Sequence, residues 1–148
     1  MTRKWNTVIL AATFGIPVVL VGSFLAMKHW EQARRQDKAI VATVYFRLKD
    51  WEVAHGSPAS DLPQALEGKR GIPVPSEGPY PGGKMRLLFG YDPSAATKKD
   101  DIMVIAFYPG SRQSTWTIRR DYQDGTEAVD VAKWKAEHPK ATFYGWPK

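Results

Sequence analysis

Three histidines, fifteen carboxylates and no cysteine are the groups from which this chain could assemble chemistry. His29, His55 and His138 stand far apart, with no His-Glu-x-x-His helix and no second histidine at ligand spacing, so they do not compose a zinc site. His55 and His138 fall near expected helix ends, where an imidazolium suits the helix dipole. Asp121, Asp124, Glu127 and Asp130 cluster around Gly125 and invite a calcium reading. An EF-hand loop needs oxygen ligands at alternate positions before its glycine, and Arg120 and Tyr122 break that pattern. A turn at Asp124-Gly125 and a dipole-favoured Glu127 account for the cluster. Gly78 to Gly83 (GPYPGG) lacks the Lys-Ser/Thr of a phosphate loop, and no Gly-x-Ser-x-Gly elbow exposes a serine. Without cysteine there is neither a disulfide framework nor a thiolate metal site. The reading assigns no catalytic residue, no cofactor and no metal, and no small-molecule substrate.

The charge is +6, with 21 basic and 15 acidic side chains. Its distribution argues against nucleic acid. Arg3 and Lys4 precede every acid, and residues 28–38 hold four bases against two acids. The remaining excess is too thin, at Lys98-Lys99 and Arg119-Arg120, to track a phosphate backbone.

The elements follow from the pattern of apolar residues. Thr7 to Met27 (TVILAATFGIPVVLVGSFLAM) is uncharged over 21 residues. As a helix it would be about 30 Å long, the thickness of a bilayer's hydrocarbon core. This predicts a single-pass transmembrane helix, an uncleaved signal-anchor, because Phe24 spoils the small-x-small cleavage pattern. Pro17 predicts a bend. Ala11, Gly15, Gly22 and Ala26 share one face and predict helix–helix packing within the membrane. Trp5, Trp30, Lys28, Arg34 and Arg35 are the expected interfacial anchors. The predicted location is a bacterial inner membrane, with the following domain in the periplasm and lipid and other membrane subunits as partners.

From Lys28 to Ala54 there is no proline or glycine, so the helix is expected to continue as a stalk until Gly56. Ile40, Val44, Leu48 and Trp51, with Val41 and Tyr45, recur at helical spacing and need an apolar partner surface. Ser57 to Leu66 predicts a short helix capped by Ser60 or Asp61, and Lys69 to Gly83 a Pro/Gly-rich loop. Strands are expected over 84–91, 101–108 and 114–122, the second central because it is almost wholly apolar. A last short helix over 127–138, capped by Thr126, and an aromatic tail at 141–146 complete the chain. The expected fold is α+β, a long N-terminal helix packed on a three- to four-stranded antiparallel sheet. Its divisions are a polar tail (1–6), the span (7–27), the stalk (28–54) and a small domain (55–148).

This order of a basic tail, an apolar run continuing into an amphipathic helix, a loop and a small sheet resembles the type IV pilins and pseudopilins. His55 to Leu66 (HGSPASDLPQAL) is similar to the segment after the long helix in pseudopilins. The chain has neither the Gly-Phe processing site nor the glutamate within the apolar run. The resemblance therefore implies the layout and not the processing. Taken together, the sequence predicts a non-catalytic accessory subunit of a larger membrane complex of respiratory, photosynthetic or secretion type. A divergent pseudopilin-like component and a membrane-tethered enzyme or binding module are the alternatives.

Overall fold

The computed structural model describes residues 2–68, 71–77, 85–95, 100–121 and 124–148, and for 2–17, 76, 77 and 124 the backbone alone. The chain forms two compact units, Met1–Lys38 and Ala39–Lys148.

Unit 1 is helical. Helix α1 (Thr2–His55) supplies all of its described structure and runs on into unit 2. Ala11, Gly15, Trp5 and the expected bend at Pro17 lie outside the residues whose side chains are described. From Val18 to Trp30 the side chains are exposed. The expectation of a membrane span does not stand. Among the described residues no helix is long and apolar enough to cross a membrane. The single-pass assignment, the inner-membrane location and its periplasmic orientation are withdrawn with it.

Unit 2 is α+β. Within it α1 presents Val41, Val44 and Leu48 as buried residues, with Ile40, Tyr45 and Trp51 half-buried beside them. Three- and four-residue steps put these on one face, so the helix can lie against a sheet. At its end the His55 Nδ1–H donates to the Trp51 carbonyl at 2.9 Å, and the imidazole stacks on the Trp51 indole at 3.9 Å. Gly56, at φ 70°, takes the left-handed conformation that stops the helix. Helix α2 (Leu62–Leu66) is capped by Asp61, whose Oδ1 accepts from Gln64 N at 2.7 Å, while Gln64 Oε1 accepts from Ser60 N and Oγ.

The sheet contains β1 (Ser76–Glu77), β2 (Met85–Tyr91), β3 (Ile102–Phe107), β4 (Trp116–Arg119), β5 (Asp124–Gly125) and β6 (Thr142–Pro147). Its order is β1-β6-β2-β3-β4-β5, every pairing antiparallel. Four strands carry the structure, and a two-residue strand pairs at each edge. The aromatic tail is not at the rim. As β6 it sits inside the sheet between β1 and β2, because Tyr144 and Trp146 are apolar enough to need cover and join the main core.

Alternation along the strands splits the side chains between two layers. Leu87, Phe89, Tyr91, Val104, Ala106, Trp116 and Ile118 join α1 and α2 in the main core. Leu88, Ile105 and Phe107 meet Trp134 on the other face. Trp134 comes from α3 (Val131–Glu137), which is shorter than the expected helix and is capped by Asp130, not Thr126. Asp130 Oδ1 accepts from Lys133 N at 2.7 Å, and the backbone N–H of Val131 donates to the Arg112 carbonyl. These bonds fix the helix start four residues after the glutamate that was expected to open it.

Candidate functional site

One group of polar side chains comes together where the second layer meets the sheet. Asp92 follows β2 and is almost fully buried. Its Oδ1 accepts from Ser94 N at 2.8 Å and from Ser94 Oγ at 2.7 Å, closing an Asx turn. Its Oδ2 lies 3.2 Å from His138 Nδ1. A carboxylate oxygen accepts, so the imidazole proton on that side is at Nδ1. His138 is the C-cap of α3, and its ring lies against Trp134 at 4.4 Å. The Trp134 Nε1–H donates to the Ile102 carbonyl at 3.0 Å.

An Asp–His pair of this kind is half of a nucleophile-activating triad. The serine stands on the wrong side for the other half. Ser94 Oγ donates to the carboxylate, so Asp92 lies between serine and histidine, where activation needs the imidazole in the middle. What the arrangement does is mechanical. It ties the end of α3 to the turn after β2, across 46 positions of sequence.

A second constellation joins α1 to β4. Arg120 donates from both terminal nitrogens to the two oxygens of Glu52, each at 2.8 Å. Both side chains are largely shielded, and the planar fork matches the carboxylate. Next to it Arg119 donates to the Asp100 carbonyl and to Glu127. These two arginines, adjacent in sequence, are thereby committed to structure. Of the acids considered for calcium, Glu127 is held by Arg119 and Asp130 caps α3, while the side chain of Asp124 lies outside the described residues. Among the described residues no three His, Asp or Glu side chains gather as a metal site.

The sequence-predicted positions divide as follows. Val44 and Leu48 are buried in the main core, with Ile40 and Trp51 packed against it. Gly22 and Ala26 are exposed, and a Cβ added at Gly22 would meet nothing. Trp30, Lys28, Arg34 and Arg35 are exposed too, with the Lys28 ammonium over the Phe24 ring at 4.9 Å and the Arg34 guanidinium over the Trp30 ring at 5.4 Å. The late aromatics are interior: Trp134, Tyr144 and Trp146 are buried. Among the described residues the exposed large apolar side chains concentrate on unit 1, at Val18, Val19, Leu20, Val21, Phe24, Leu25, Met27 and Trp30, with Phe46, Val53, Val74 and Tyr108 exposed on unit 2.

Sequence reasoning missed the Asp92–His138 and Glu52–Arg120 pairs. Both join groups far apart in the chain, and neither has a local spacing signal. The one usable hint was Asp92-Pro93-Ser94, an Asx-turn pattern at a strand end. No protein-family model matches the chain, and no curated protein or solved structure is similar to it.

Proposed function

We propose that the protein is a non-catalytic structural or accessory component of a larger protein assembly, held there through the helix of unit 1. The observation that carries this reading is the uncovered apolar surface from Val18 to Trp30. Eight large apolar side chains left in water would cost roughly 1.5–3 kcal/mol each relative to burial, which an enclosing partner recovers. The polar pairs of unit 2 support it as well, because each is engaged in tying elements of that unit together. A second reading, a divergent pseudopilin-like component, draws on the long helix packed over an antiparallel sheet. It differs in making the neighbours of unit 1 other pilin-like helices.

The test is stoichiometric purification of the tagged full chain from the cells that make it, followed by native mass spectrometry. A defined complex containing a fixed ratio of another protein is expected. A monodisperse single chain would overturn the proposal, and a ladder of pilin-like copies would select the second reading.

A further inference from the structure

The neighbours of unit 1 can be described more closely, on the premise that its helix is enclosed by protein. Val18, Val19, Leu20 and Val21 are consecutive, so at about 100° per residue they point to four sides of the helix. Their exposures run from 70 % to 58 %, so no side is already covered. A two-stranded coil needs apolar residues at only about two positions in seven and leaves the far side polar. Here the far side is as apolar as the near side, and a neighbouring helix covers roughly a third of a circumference. Full cover takes at least three neighbours.

Charge then discriminates between neighbours. In the segment that follows, Lys28, Arg34, Arg35 and Lys38 are exposed against one exposed carboxylate, Glu31. Lys28 and Arg34 fold back over Phe24 and Trp30, which keeps their charge beside the apolar surface to be covered. Parallel copies of the chain would stack these cations on one another, a like-charge arrangement that specific interfaces avoid. Alternating the direction of copies does not escape this, because with three or more helices around the stretch at least two of any three run the same way and bring their cations to the same end. A nucleic acid offers phosphates but no apolar sheath. We infer that the occupant is a different protein that surrounds residues 18–27 with apolar side chains on every side and places carboxylates opposite Lys28, Arg34, Arg35 and Lys38.

The experiment places the photo-crosslinker p-benzoylphenylalanine at 18, 19, 20 or 21, one position at a time, in the full chain within the cells that make it. Adducts with the same partner proteins are expected from all four positions. Arg34→Glu with Arg35→Glu should lower every yield about tenfold, whereas Arg34→Lys with Arg35→Lys should leave them unchanged. Unit 2, which contains none of these positions, should melt unchanged in every variant. Adducts from only two of the four positions, adducts with copies of this chain, or yields indifferent to charge reversal would overturn the inference and leave the proposed function standing. Adducts with lipid or nucleic acid, or no adducts at all, would overturn both.

Discussion

Replacing Gly90 by alanine should destabilise unit 2, and the structure sets the size of the effect. A Cβ at position 90 would lie 2.8 Å from Trp134 Cζ3, 3.1 Å from Ile105 Cγ1 and 3.1 Å from Phe143 Cε1. Ordinary carbon contacts are about 3.5–4.0 Å, so the indole would have to retreat by several tenths of an ångström or more. It has little freedom to do so. Trp134 is buried, its Nε1–H is bonded to the Ile102 carbonyl, and Phe143 and His138 stand against its ring. Overpacking of this kind costs about 1–3 kcal/mol. Alanine returns roughly 0.5–1 kcal/mol because glycine is the more costly residue to order in a strand. At mid-range, about 2 less about 0.75, the net loss is about 1 kcal/mol, which for a domain near 100 residues lowers Tm by roughly 4–8 °C. Thermal unfolding followed by near-UV circular dichroism measures it. Trp134→Leu in the same chain removes the clashing ring, so the double variant should lose less than the sum of the two single losses, by about 1 kcal/mol. An unchanged or raised Tm for Gly90→Ala, or strict additivity with Trp134→Leu, would refute the packing argument.

Other substitutions probe other joints of the fold. Thr117 has a buried hydroxyl with no hydrogen-bond partner among the described residues, so Thr117→Val should raise stability by about 1 kcal/mol in a denaturant titration. Tyr91→Phe removes the buried bond from its hydroxyl to the Ala59 carbonyl and should cost about 1–2 kcal/mol by the same measurement. For Glu52 and Arg120, partly shielded and bidentate, a double-mutant cycle with alanine should give a coupling of about 1–2 kcal/mol, between surface and buried pairs. Asp92→Ala should cost about 2–3 kcal/mol and speed hydrogen exchange in α3, because it releases both the Ser94 turn and the His138 tie.

Local signals made the main elements legible. The 3.6-residue stripe from Ile40 to Trp51 gave the helix face that meets the sheet, Gly56 gave the end of α1, and the apolar run at 102–107 gave an interior strand. Information held in tertiary pairing was not legible. Order along the chain does not reveal where the aromatic tail goes, and β6 returns to pair with β2 and β1. The cap of α3 was misplaced because Thr126 and Asp130 are both competent caps, and only the bonds of Asp130 and Val131 to their surroundings decide between them. The apolar run at the start of the chain was read as a lipid span from composition. Among the described residues no helix is long and apolar enough to cross a membrane. Pairs such as Asp92 with His138 leave no trace in spacing at all.

The proposed function rests on contact made through residues 18–30. Blue-native electrophoresis of cell extracts tests this directly, with Leu20, Phe24 and Leu25 replaced together by serine in one strain and His138 by glutamine in another. The account predicts that the serine variant leaves its high-mass complex while unit 2 keeps its melting temperature, and that the His138 variant stays within the complex. A serine variant that remains in the complex, or a complex lost only with His138→Gln, would contradict it.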